Sequence, residues 1–164
     1  MSVCQMEIVW VREGAVFVDN RYSRRHRWLF DGGVEVPASS SPHVVPVPLS
    51  DAAAVDPEEA FVASLAGCHM LWFLSLAAAG GYIVDSYSDK AVGVLGEDAS
   101  GKIAMTSVRL HPAVTFVGDT LPTKQDIIEL HEQAHGRCYI ANSVKTDVRC
   151  EPVVAAPDVD ATGP

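Results

Sequence analysis

Positive charge is scarce in this chain. Twelve Lys and Arg stand against 21 Asp and Glu in 164 residues, a formal net charge of −9. Such a balance offers no basic face to a phosphate backbone, so nucleic acid is not an expected partner. No CxxC occurs, and the four cysteines, Cys4, Cys68, Cys138 and Cys150, are widely spaced, which removes the zinc-ribbon and thioredoxin spacings. In a cytosolic chain this points to reduced thiols or a catalytic redox pair instead of a disulfide framework. The opening MSVCQMEIVWVREG shows no basic segment followed by an apolar one, so no secretory leader is read there and the expected location is the cytoplasm. Internal repeats and low-complexity domains are also missing.

Charge is absent altogether from Phe61 to Ala79, a run of 19 residues. That is long enough to enter a membrane. The run is nevertheless rich in Ala, Gly and Ser, carries His69, and has no basic flank or second span. A helix apolar on every side also fits the centre of a soluble protein, and no membrane partner is expected. With 48% hydrophobic residues the chain has ample material for a core. One domain over residues 1–155 is expected, with 156–164 a flexible tail.

Residues 5–19 alternate around Glu13-Gly14 and read as a hairpin, and RWLF and VEVPA flank Asp31-Gly32-Gly33 as a second. The proline-rich stretch 39–56 reads as a loop or extended crossover. Asp56-Pro57-Glu58-Glu59 is a helix start, with Asp56 as cap, Pro57 first and Glu59 three after the cap. This helix should run to Ala79 and stop at Gly80-Gly81. Residues 82–96 and 102–118 read as two long strands, the second with a bulge or edge position at its proline. A second helix should start at Thr123 and reach about His135, CYIANSV should add a helical turn, and VKTDVRCEPVV a last strand. The order is that of an α+β fold. An all-round apolar helix needs cover on all sides, which one small sheet does not give. A second copy of the chain is the economical source, so an intertwined homodimer is expected.

Cys68 lies inside SLAGCHMLWFLS. A lone Cys there reads first as a small hydrophobe, inert unless a cation reaches it from elsewhere in the chain. Cys138 follows Gly136-Arg137 where the second helix should end. At the N-terminus of a further turn, free N–H groups would favour its thiolate; a core Cys under the turn is the other reading. His131-x-x-x-His135-x-x-Cys138 offers three metal-ligand types on one helix face, with Cys68-His69 as a possible complement. But His69 points about 100° away from Cys68 on an ideal helix, and no metal is expected. Cys4 and Cys150 read as structural or incidental.

VDPEEAFVASLAGCHMLWFL, followed seventy residues later by HGRCYIANSV, resembles the osmotically inducible protein C / organic hydroperoxide resistance (OsmC/Ohr) family. The resemblance rests on a Pro-Glu-Glu helix start, a Cys ten residues after its first Glu and a second Cys before a short helix, and it covers about residues 5–152. It implies an OsmC-like α+β fold, with antiparallel sheets wrapped around long buried central helices in an intertwined homodimer. It also implies thiol-dependent reduction of organic hydroperoxides, without metal, haem or other cofactor, by a dithiol reductant of lipoyl type. Carried over residue by residue, Cys68 is the peroxidatic thiol, Cys138 the resolving one, and Glu58 the carboxylate that orients an activating Arg. Glu58 lies ten residues before Cys68, roughly 15 Å along a helix, so it could act only through such an Arg. The loop at 43–55 has no Arg, where several family members place one. Arg12, Arg21, Arg24, Arg25 and Arg27 remain, with Arg24 preferred and a solvated basic loop as the competing reading. A non-catalytic OsmC-like small-molecule-binding or stress-associated protein is the alternative function.

Overall fold

The computed structural model describes residues 3–153; the tail expected at 156–164 lies outside the described residues. The chain is α+β. It divides into two compact units, Met1–Phe61 and Val62–Pro164.

The first unit holds a three-stranded antiparallel sheet in the order β1 (Met6–Val9), β2 (His26–Phe30), β3 (Glu35–Ala38). The turn at Asp31-Gly32-Gly33 forms as its residues require, with Gly33 at φ 84°. The hairpin expected within 5–19 does not form. β1 pairs instead with β2, Met6 opposite Phe30 and Val9 opposite Arg27. Glu13, Gly14, Phe17 and Asn20 all take left-handed φ, between 49° and 81°, and this breaks up an extended arm. The aromatic residues there pack with Tyr22: Phe17 stacks on Tyr22 at 4.6 Å, and Trp10 lies 5.8 Å from Phe17 and 5.4 Å from Tyr22. Residues 39–56 form the expected loop, touching the sheet through a single bridge between Ala38 and Val55. At its end Asp56 Oδ1 accepts the Glu59 N–H at 2.8 Å while Glu59 Oε2 accepts the Asp56 N–H at 3.3 Å. This reciprocal cap starts α1 (Pro57–Ala79) where the sequence places it.

In the second unit α1 ends at Gly80-Gly81, Gly81 at φ 81°. The two expected long strands each break in two. β4 (Ile83–Asp89) pairs with β7 (Pro112–Val117), and β5 (Val92–Glu97) pairs with β6 (Ile103–Leu110). The break has a local cause: Pro112 has no N–H for a ladder, and the His111 N–H is taken by Asp89 Oδ1 at 2.7 Å. The chain therefore switches sheets at this point. α2 (Lys124–Arg137) opens with a second capping box between Thr123 and Asp126, followed by a 3-10 turn at Ala141–Ser143. β8 (Asp147–Cys150) then joins β6 in parallel, the one departure from antiparallel pairing among the strand ladders of the described residues.

α1 buries Leu65, His69, Phe73 and Ala77. These are four apart and form one stripe. The stripe meets Leu130 and Ala134 of α2, with Phe116 and Tyr87 of the β4–β7 sheet against Phe73. Elsewhere on the helix Leu71 keeps 65% of its surface. Gly93 on β5 marks a close approach, because a methyl there would come within 2.5 Å of Val62 Cγ2 on α1.

Candidate active site

Cys68 sits in the middle of α1, one residue off the buried stripe, and is half-buried. Cys138 caps the C-terminus of α2 and is 1% exposed. The two thiols, 70 residues apart in sequence, are joined by a hydrogen bond. The Ala141 N–H also points at Cys138 Sγ, 3.4 Å away. That amide favours thiolate, as the sequence suggests, but burial outweighs it. The Cys138 thiol is pushed up to about 11, first by burial and then by its bond to Cys68. Cys138 therefore keeps its proton at neutral pH and donates it to the Cys68 sulfur. Among the described residues all four cysteines are free thiols.

Aromatic rings flank this pair. Trp72, one turn beyond Cys68, meets Tyr139, the neighbour of Cys138, edge-on at 5.6 Å. The Arg137 guanidinium lies over the Trp72 ring at 5.7 Å. Arg137 is a cation that the sequence reading passed over, although it directly precedes Cys138.

Arg24 and Glu58 belong to the first unit. Both line a cavity of roughly 520 Å³ walled by Ile8, Trp10, Phe17 and Tyr22. Arg24 donates to the Asn20 and Tyr22 carbonyls and, at 2.8 Å, to Asn20 Oδ1, and its guanidinium stacks 3.9 Å above the Tyr22 ring. It is thus held by the left-handed loop at Asn20; no Arg24–Glu58 ion pair forms among the described residues. Of the other candidates, Arg25 pairs with Asp51 at 3.0 Å, Arg27 with Glu35 at 3.2 Å, and Arg12 bonds the Ala15 carbonyl. Of the five, Arg24 is the one that lines the cavity.

The helical metal-ligand set does not converge on one point. Cys138 turns to Cys68, whereas His131 turns to His69, whose Nε2 lies 3.0 Å from His131 Nδ1. His69 is wholly buried and His131 nearly so. Burial holds both imidazoles neutral, His69 lowered to about 4 and His131 to about 3, each reinforced by a neighbouring imidazole. Cys150, read from sequence as structural or incidental, brings its Sγ to 3.5 Å from His69 Nε2. Burial, with Asp89 and Glu151 nearby, pushes that thiol up to about 12.

Residues 50–152 match the family described as OsmC-like protein. Among curated proteins nothing matches. Among solved structures, the chain is similar to an OsmC-like protein of unknown function from Vibrio cholerae, with 53% identity and a TM-score of 0.92 over 93% of this chain and 100% of that one. Two more distant structures share the fold. An organic hydroperoxide resistance protein from Elizabethkingia anophelis has 15% identity and a TM-score of 0.65, over 92% and 95% of the two chains. One from Bacillus subtilis has 18% identity and a TM-score of 0.61, over 92% and 98%. The family match over most of the chain and the 53% identity place this protein in the OsmC/Ohr family.

Proposed function

We propose that the protein is a thiol-dependent peroxidase that reduces organic hydroperoxides to alcohols. The observation that carries this reading is the hydrogen bond between a half-buried Cys68 and a buried, protonated Cys138. A peroxidase of this kind needs one sulfur to attack and another to wait. The Cys68 thiolate attacks the distal peroxide oxygen, the O–O bond breaks, and the alkoxide leaves as alcohol after taking a proton. Cys68 is now a sulfenic acid. Cys138 attacks it, expelling water and closing a Cys68–Cys138 disulfide. An external dithiol, lipoyl-type by family, reduces that bond and restores both thiols.

Arg24 is the cation we assign to Cys68 and the leaving oxygen, since a guanidinium offers permanent charge and a fork of donors. Its loop anchors already fix it, and Glu58 supplies the carboxylate in the same lining. The printed names of the Elizabethkingia and Bacillus proteins, organic hydroperoxide resistance, support the substrate class. The apolar walls of the cavity suit an alkyl chain. The exposed Leu71 on α1 supports a homodimer, and we place it in the cytoplasm.

A second reading is a non-catalytic OsmC-like protein that binds a small molecule or serves in stress. The unformed Arg24–Glu58 pair and the aromatic cavity favour it. Turnover of cumene hydroperoxide with dihydrolipoamide separates the two. The peroxidase reading expects catalytic consumption that Cys68→Ser abolishes and Arg24→Ala lowers at least tenfold. Absence of thiol-dependent turnover in the wild type leaves the binding protein.

A further inference from the structure

We propose that His69, His131 and Cys150 form a metal site of two imidazoles and one thiolate, fitted to a borderline-soft d10 divalent cation, Zn2+. One ligand atom from each of the three lies within 4.8 Å of the other two. They come from α1, α2 and β8, so the chain fold, not a local motif, brings them together.

The spacing is that of hydrogen bonds and also comes close to that around a shared ion. Zn–N bonds of about 2.0–2.1 Å and a Zn–S bond of about 2.3 Å, at tetrahedral angles, put N and N about 3.3 Å apart and N and S about 3.6 Å apart. The structure has 3.0 Å between the nitrogens and 3.5 Å between His69 Nε2 and Cys150 Sγ. His69 Nε2 is the shared atom of both contacts. It carries either one lone pair or one N–H, and neither can serve two partners well. A cation at the centre would accept a lone pair from each of the three atoms at once.

A second observation comes from the ring atoms left over. His135 Nδ1 is buried and has no hydrogen-bond partner among the described residues, and neither have His69 Nδ1 and His131 Nε2, the ring nitrogens that face away from the ion. An unmet polar nitrogen in a core is costly, and the ion would meet that of His135. His135 stands one turn beyond His131 on α2. With His131, Glu132 and Cys150 it lines a cavity of roughly 370 Å³. That cavity gives the ion an entry path and puts His135 at the fourth position. Binding turns the Cys150 thiol into a thiolate and releases one proton to solvent. The site is separate from the thiol pair: His69 points away from Cys68, and Cys138 bonds Cys68, not the imidazoles.

The test is a Co2+ titration of the full chain, reduced and stripped with a chelator. The expected result is one Co2+ per chain, with a thiolate-to-cobalt charge-transfer band and the intense d–d bands of a tetrahedral site. Zn2+ should then bleach both, since it binds such ligands more tightly than Co2+. Cys150→Ser should lose the charge-transfer band, while Cys68→Ser and Cys138→Ser should keep it. Zn2+ should raise the melting temperature of the wild type and of Cys68→Ser but not of Cys150→Ser. If Cys150→Ser does not fold, His135→Gln, half-buried and at the cavity wall, should shift the d–d bands without removing the charge-transfer band. No cobalt spectrum, bands that persist in Cys150→Ser, or bands lost in Cys68→Ser would each overturn the site and leave a hydrogen-bonded polar cluster in the core.

Discussion

Burial sets two neighbouring sulfurs apart. Cys138, sealed at 1% exposure, holds its proton, and Cys68 receives the bond from a half-buried position. Cys138→Ser should therefore still consume about one equivalent of peroxide and then stall as a sulfenic acid on Cys68, trapped by a dimedone-type reagent. A Cys138→Ser variant that turns over at the wild-type rate would show that another thiol resolves. His69 gives a second residue-scale prediction. His131 and His135 from α2 and Cys150 from β8 face it, and both His69 and His131 are held below the ordinary imidazole value. In the metal-free protein the unfolded chain takes up these protons near pH 6.5 while the folded one resists. Stability is thus whole above about pH 6.5 and falls as the pH drops toward 4, by a few kcal/mol at most. Denaturant midpoints across that range check it, and His131→Gln should flatten the slope. A midpoint that does not move between pH 7 and 4 would contradict the burial of neutral imidazoles.

Where one residue's chemistry dictates a local event, the elements can be read directly from the sequence. Asp56-Pro57-Glu58-Glu59 caps α1, Gly80-Gly81 ends it, Asp31-Gly32-Gly33 turns β2 into β3, and Thr123 opens α2. Events decided by distant partners could not be read. Residues 15–19 alternate like a strand, yet Phe17 packs on Trp10 and Tyr22, and β1 finds β2 instead. The break at His111 depends on Asp89, 22 residues away, and the contact between Cys150 and His69 spans 81. The thiol pair was found through motif resemblance; Arg137 and Cys150 carried no local signal beyond their positions. Two element-scale predictions follow from the capping and packing. Asp56→Ala should cost about 1 kcal/mol by freeing the first amides of α1. Gly93→Ala should cost about 1–3 kcal/mol, because the added methyl overlaps Val62 and Met105. Urea melts measure both, and a neutral Gly93→Ala would mean that α1 and β5 do not approach as closely as described.

At the scale of the whole molecule, the 23-residue α1 is apolar enough by length and composition to cross a membrane, yet one chain buries a single stripe of it. Leu71 at 65% and Tyr139 at 69% exposure leave apolar surface beside both thiols' elements. A second chain covering it predicts a sedimenting species of about twice the chain mass. A monomer that stays soluble and folded at micromolar concentration would refute that cover. In a dimer the proposed disulfide could form within a chain or between chains, and the contact between Cys68 and Cys138 of one chain favours the first. The most direct measurement is therefore peptide mass mapping, without reduction, of the protein after one equivalent of cumene hydroperoxide. The account predicts a Cys68–Cys138 bond within one chain, with Cys4 and Cys150 still alkylatable. An oxidised protein in which Cys68 stays a free thiol, or is bonded to Cys4 or Cys150 instead, would contradict it.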